Sequence, residues 1–186
     1  MPFANPDNLL HTGMPWGQVV ELGNQINAIA AGIGSASFAP TGNISVNLTP
    51  IANSATANSA VMMSYSLPAN SFNATGQQVY IEAWGTFAAN AQNKQLWITV
   101  GGMTFASGSS TGNGSTWVMR GRVYRSGASA QVAQFEGQIG ASAVAMASST
   151  DTSVETSAIT ISLKALSGSA SGTDITQNGL KIQYFG

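Results

Sequence analysis

The sequence predicts a mainly β protein: an antiparallel β-sandwich of the jelly-roll type, preceded by an extended arm and a short N-terminal helix. Beyond residue 60, apolar residues recur at every second position in successive runs, which places each run on one face of a sheet. Clusters of Gly, Ser, Asn and Thr separate the runs, as turns separate the strands of a sandwich. Only 7% of the side chains are charged, so the predicted exterior consists mainly of hydroxyl and amide groups.

The N-terminal segment divides into an arm and a helix. Residues 1–14 are rich in Pro and predict an extended arm. Residues 15–34 carry apolar residues at alternating steps of three and four and stop at a glycine, which predicts a helix with a heptad seam. The seam positions are Val19, Leu22, Ile26, Ile29 and Ile33. Ile at both kinds of seam position favours a coiled coil of three helices. The run covers only about two heptads, however, which also fits a single amphipathic helix packed on its own domain.

Residues 35–60 form an uncharged segment of mostly Ser, Ala, Asn, Thr and Gly. Such a composition is typical of a flexible linker. The alternative is an exchanged arm that lies on another subunit, and the apolar residues at intervals favour partial order on a partner. One alternating run, 44–48, predicts a strand within it.

Residues 61–186 are predicted to form the jelly-roll sandwich. Together with the 44–48 run, seven alternating runs give about eight strands. The seven runs begin at Val61, Val79, Leu96, Trp117, Ala133, Ile159 and Leu180. Gly101–Gly102 predicts a hairpin turn, Asn178–Gly179 predicts a tight turn before the last strand, and Ser107–Ser115 predicts a long loop at one end of the sandwich.

The composition excludes several classes of function. The chain has no Cys and one histidine, His11, so we predict no disulfide, no metal site and no cofactor. Six basic residues are too few to neutralise a nucleic-acid backbone, so no nucleic acid is expected as a partner. The start of the sequence does not resemble a signal peptide, and no apolar run is long enough to span a membrane, so no membrane partner is expected either.

Three arginines, Arg120, Arg122 and Arg125, carry half of the positive charge within six residues. Two interpretations remain open. The arginines could bind an anionic partner, such as a sialylated or phosphorylated glycan or an acidic shell surface. The favoured alternative is a solvated strand face, or ion pairs with Glu82 or Glu136.

We predict no catalytic residues. Glu82 and Glu136 could form the carboxylate pair of a glycosidase, but nothing in the sequence places them at the required separation. A Ser-His-Asp triad would have to use His11, which lies in the Pro-rich arm, and the chain has no G-x-S-x-G motif. The sequence is therefore interpreted as that of a protein without enzymatic activity.

Trp84 and Tyr80 alternate out of phase with the apolar residues of their own strand, which predicts a second, partly apolar face. Together with Trp97 and Trp117, Trp84 could form a sugar-binding platform, but tryptophans in such a sandwich more often fill a core or a subunit interface. A surface with so few charges protects a monomer poorly against association. The sequence therefore predicts a homo-oligomer, a trimer, with Trp84 and Tyr80 at a subunit seam.

Residues 61–186 resemble the small jelly-roll modules of tailed-bacteriophage virion proteins, which include capsid decoration or cement proteins, head fibres and tail-fibre tips. The resemblance is carried by the run 79–87, the Ser/Ala/Thr/Gly-rich loops and the terminal strand 179–186. It implies a trimeric, non-enzymatic component of the virion surface, assembled in the host cytoplasm. In such proteins the N-terminal segment docks on the major capsid protein or another virion protein.

Two functions follow from the resemblance as expectations. The first is a capsid decoration, cement or head-fibre protein that stabilises the phage shell, which the short length favours. The alternative is a tail-fibre receptor-binding tip that recognises a host surface glycan. In that case the loop Ser107–Ser115 and the three arginines would contact the glycan.

Overall fold

The computed structural model describes residues 42–53, 59–168 and 172–186. Within these ranges the chain forms eleven β-strands and no helix, so the described part is mainly β. The predicted arm 1–14, the predicted helix 15–34 with its seam positions, and His11 lie outside the described residues. Among the described residues, no helix is long and apolar enough to cross a membrane.

The strands form two antiparallel sheets. The large sheet contains β1 (Gly42–Asn47), β2 (Ile51–Ala52), β4 (Gln78–Phe87), β7 (Thr116–Gly127), β8 (Ala130–Ile139), β9 (Ser142–Asp151) and β11 (Ile175–Phe185). Its order is β1-β11-β4-β7-β8-β9, with β2 also paired to β11. The small sheet contains β3 (Ala60–Leu67), β5 (Lys94–Val100), β6 (Met103–Ala106) and β10 (Ile159–Ser167), in the order β3-β10-β5-β6.

One hydrophobic core joins residues of both sheets, which is consistent with a β-sandwich. On β4, the residues from Val79 to Phe87 alternate between buried and half-buried, as the period-two pattern predicts. Phe105 of the small sheet stacks on Phe135 of the large sheet, with ring centroids 5.5 Å apart and planes 7° apart. The other faces of β4, β7, β8 and β11 point away from this core and form the outer face of the large sheet.

The two predicted turns have different outcomes. Gly101–Gly102 joins β5 to β6 in a hairpin, with Gly101 at φ +55°, so this prediction is confirmed. The prediction of a tight turn at Asn178–Gly179 is wrong, because both residues lie inside β11, at a register shift between Gln177 and Gly179. The glycine serves the close approach of Trp84, since a Cβ at position 179 would overlap the indole ring.

The large sheet begins before the predicted boundary at residue 61. Residues 42–47 form β1, an edge strand that pairs with β11 of the same chain, and β2 pairs with β11 as well. Part of the segment 35–60, predicted as a linker or an exchanged arm, is therefore strand. The strand β9 has no counterpart among the predicted runs.

Candidate functional site

A row of alternating charge crosses the outer face of the large sheet. Lys181, Glu82, Arg120 and Glu136 are successive partners on the neighbouring strands β11, β4, β7 and β8. Arg120 donates from Nε to Oε1 of Glu82 over 2.9 Å, and both side chains are partly exposed. Opposite charges on neighbouring strands attract each other, so this row reinforces the strand order.

The next row on the same face contains Tyr80 on β4 and Arg122 on β7, which are also direct partners. The guanidinium carbon of Arg122 lies 5.8 Å from the centroid of the Tyr80 ring, within the range of a cation–π contact. Burial raises the pKa of the Tyr80 hydroxyl, and the nearby Glu82 carboxylate raises it further. Arg120 and Arg122 thus share one face, as predicted, and each has a partner on β4.

Arg125 lies apart from the other two arginines. Its guanidinium donates to both carboxylate oxygens of Glu155, over 2.8 Å from Nε and 3.0 Å from Nη2. The two side chains are 12% and 10% exposed. Gln131 donates to the same carboxylate over 3.1 Å. This cluster ties the loop after β9 to the β7–β8 hairpin, so Arg125 is engaged within the fold.

The Arg125–Glu155 pair predicts an acid-sensitive contribution to stability. Burial raises the pKa of the Glu155 carboxyl, but the hydrogen bonds from Arg125 and from two further donors lower it more, so the pKa lies below its ordinary value. The contribution is therefore complete above the unfolded pKa of about 4.3 and is lost as the pH falls through the folded pKa. We expect Glu155→Gln to lower the free energy of unfolding by about 2 kcal/mol at pH 7 and by much less at pH 3, in urea titrations.

The matched control is Glu136→Gln, at an exposed position of the outer face. It should change the free energy of unfolding by less than about 0.5 kcal/mol at pH 7. An equal loss for Glu155→Gln at both pH values would contradict the assignment of this ion pair.

A cavity of about 320 Å³ opens beside Trp84 on the large sheet. It is lined by uncharged residues, of which the aromatic and polar ones are Trp84, Trp117, Thr86, Thr116, Gln138 and Asn178. Trp84 is half-buried and lies against Gly179, where only a glycine leaves room for the ring. The aromatic ring and the amide and hydroxyl groups give this cavity the composition of a small-molecule site.

A second cavity, of about 400 Å³, lies between the loop Ser107–Ser115 and the β8–β9 turn. Its lining consists of Ser, Gly, Ala, Ile and Val residues. The long loop predicted between β6 and β7 is thus present, and it forms one wall of this cavity. The loop is joined to β5 by two backbone hydrogen bonds between Ser110 and Lys94, of 2.7 and 2.9 Å.

Lys94 is completely buried beneath this loop. Its ammonium donates to four oxygens: the backbone oxygen of Asn90 at 3.0 Å, Oδ1 of Asn90 at 2.8 Å, and the backbone oxygens of Gln92 at 3.1 Å and Gly112 at 3.4 Å. Burial lowers the pKa of the Lys94 ammonium, while the buried Asp174 opposes that shift. The ammonium therefore acts as an internal cation that holds two loops together.

The candidate carboxylates Glu82 and Glu136 and the candidate aromatic Trp97 all lie on strands. Glu82 and Glu136 lie on either side of Arg120, and Glu82 is paired with it. Trp97 lies on the small sheet, away from Trp84. In the described part of the chain, no three acidic or histidine side chains are grouped so that they could hold a metal ion.

Sequence reasoning missed Lys94, Gln138 and Asn178. Lys94 carries a signal, since it shares the inward phase of Leu96 on β5. No sequence signal at Asn178 predicts a cavity, because the position of this residue depends on the bulge in β11.

No family model matches the chain, and no curated protein matches it. Among solved structures, a protein of unknown function from Shewanella oneidensis MR-1 is 12% identical, and the match covers 77% of this chain and 76% of that one with a TM-score of 0.37. A structure of peanut lectin with a nine-residue peptide is 9% identical, with coverages of 81% and 93% and a TM-score of 0.36. Both TM-scores are too low for an argument about function.

Proposed function

We propose that this chain is a non-enzymatic structural protein of a bacteriophage virion. It forms a trimer, attaches through its N-terminal segment to the major capsid protein or another virion protein, and stabilises the shell as a decoration, cement or head-fibre protein at the virion surface. The resemblance in residues 61–186 motivates the class, and the following features of the described residues support it.

The proposed architecture of the head is a jelly roll. In support, the chain passes repeatedly between the sheets, as in the succession β3, β4 and β5, and does not complete one sheet before the other. The first and last described strands, β1 and β11, are neighbours in the large sheet. Both features are typical of a double-sheet jelly roll.

A single observation carries the oligomeric role. Four large apolar side chains are exposed on or near β1, β2 and β3, at one side of the described fold: Val46 at 50%, Leu48 at 62%, Ile51 at 38% and Val61 at 54%. β1 is an edge strand of the large sheet and β3 is an edge strand of the small sheet. Exposed apolar groups beside open strand edges favour association, so a further copy of the chain is the proposed cover.

We expect the intact protein to scatter light as a particle of three 19.0 kDa chains at micromolar concentration. The double variant Leu48→Ser, Val61→Ser removes apolar area from the proposed interface, at about 25 cal/mol per Å², and should shift the mass toward the monomer. Val154→Ser, at an exposed valine of the loop after β9, is the matched control and should remain trimeric. If the intact protein were a monomer, the proposed oligomeric role would be wrong.

The attachment role has its own measurement. Full-length protein should co-sediment with phage particles or empty shells, and protein lacking residues 1–34 should not, provided that its circular dichroism still shows folded β structure. Full decoration by the truncated protein would overturn the assignment of attachment to the N-terminal segment.

The second candidate is a receptor-binding tip that recognises a host surface glycan. Two observations favour it: an open cavity beside Trp84 is lined by amide and hydroxyl groups, and the anchored loop Ser107–Ser115 walls a second open cavity with hydroxyl groups. Binding loops are commonly held in this way on a rigid sheet framework.

A further inference from the structure

We propose that the cavity beside Trp84 binds a neutral carbohydrate, with the Trp84 ring as its stacking surface. This inference rests on the glycan-recognition candidate and deepens it. It assigns recognition to the uncharged cavity on the large sheet and not to the arginines or the loop Ser107–Ser115. The cavity, of about 320 Å³, is within the size range of small-molecule sites.

The chemistry of the lining fits a sugar. A pyranose ring presents an apolar C–H face, which packs on an aromatic ring, and a rim of hydroxyl groups, which exchange hydrogen bonds with amides and hydroxyls. Trp84 supplies the ring, Gln138 and Asn178 supply amides, and Thr86 and Thr116 supply hydroxyls. Because no lining residue is charged, the cavity offers no partner for a sialic acid or a phosphate.

The aromatic surface is held in place before any ligand arrives. Trp84 lies against Gly179, and a side chain there would displace the ring. The bulge that contains Gly179 is braced by Gln177, which is completely buried. Gln177 donates to the backbone oxygen of Gly179 over 3.1 Å and accepts from the backbone nitrogen of Met63, also over 3.1 Å. A fixed ring loses little conformational freedom on binding, which favours affinity.

Trp117, although it contributes to the lining, belongs to the hydrophobic core. It pairs with Gly85, on the opposite face of the sheet from Trp84, and its ring lies over that glycine. Trp84 is therefore the aromatic ring that this cavity offers to a ligand.

The other cavities fit a sugar less well. The cavity between Arg120, Arg122 and Tyr80 has a volume of about 60 Å³, and both arginines are engaged with residues of β4. The cavity beside the loop Ser107–Ser115 has no aromatic residue in its lining.

The test begins with a printed array of neutral and sialylated glycans, probed with the full-length protein. Neutral trisaccharides of the type bound on the array are then titrated into the protein by isothermal calorimetry. We expect binding of at least one neutral sugar, and a loss of about tenfold or more in affinity for Trp84→Ala. The matched control Trp97→Ala, in the small sheet, and the double variant Arg120→Ala, Arg122→Ala should both bind within about twofold of the wild type.

A second variant displaces the Trp84 ring without removing it. Gly179→Ala keeps every polar group and the indole itself but forces the ring away from the sheet, so it should weaken binding as much as Trp84→Ala does. Thermal unfolding shows whether the Gly179→Ala protein is still folded.

Asn178→Ala is a milder change in the same lining. The affinity of this variant for the sugar should fall by a few fold, because one amide is lost.

Three outcomes would overturn the inference: no neutral sugar bound on the array, neutral binding unchanged by Trp84→Ala, or binding limited to sialylated glycans and lost in the arginine double variant. None of them bears on trimer formation or particle attachment, which are measured separately. Failure of the sugar site is therefore distinguishable from failure of the virion role.

Discussion

Lys94→Met should lower the free energy of unfolding by about 3–5 kcal/mol, measured by urea titration at pH 7. Methionine has nearly the length of lysine and fills the same space. The lost free energy of unfolding therefore measures the contribution of the ammonium group and not the cost of a cavity. Without the ammonium, three backbone oxygens and Oδ1 of Asn90 lose a donor in a buried place. The buried Asp174 also loses a nearby positive charge.

Lys164→Met is the matched control, since Lys164 lies half-exposed on β10. It should cost less than about 1 kcal/mol. Lys94→Met should also loosen the loop Ser107–Ser115, because Gly112 is one of the four acceptors. Faster amide hydrogen exchange in that loop would show the coupling. Similar losses of stability for both variants would refute the role of Lys94 as an internal cation.

The sequence predicts the core strands well because their signal is local. In a half-buried strand, successive side chains point alternately to the core and away from it. The alternation in 79–87 and in Leu96–Val100 therefore predicts β4 and β5 directly. The strand β9 lacks this signal. Its sequence SAVAMASSTD holds two large apolar residues, Val144 and Met146, but alanines flank them, so apolar and polar positions do not alternate. The strand also lies at an edge of the large sheet, where most of its side chains are exposed.

The candidate site depends on pairings that the sequence does not specify. The prediction that arginines on β7 pair with Glu82 or Glu136 is confirmed for Arg120 and Glu82, because these residues lie on predicted strands. The partner of Arg125 is Glu155, 30 residues away, in a loop whose path no periodicity predicts. The bulge in β11 also depends on packing that the sequence does not specify. An Asn-Gly pair is typical of a turn, and only the packing of Trp84 against Gly179 explains why Asn178–Gly179 lies inside a strand.

Phe135→Ala should cost about 3–5 kcal/mol in free energy of unfolding, because it opens a cavity between the two sheets. Phe135 is 1% exposed and stacks on Phe105 of the other sheet. Its ring also lies over Gly121, where a Cβ would stand 2.9 Å from two ring carbons. Neighbouring backbone in a sheet is held by its ladder of hydrogen bonds and moves little to fill the space, which places the expected cost at the upper end for such truncations.

Phe185→Ala makes the same change at the exposed end of β11, where the ring is 40% exposed, and should cost less than about 1.5 kcal/mol. The double variant Phe105→Ala, Phe135→Ala tests the stack itself. Because the two rings share one contact, the second truncation should cost less than it does alone, and the coupling between them should be about 0.5–1.5 kcal/mol. Strictly additive losses would mean that the rings stabilise the two sheets separately and that the stack does not join them.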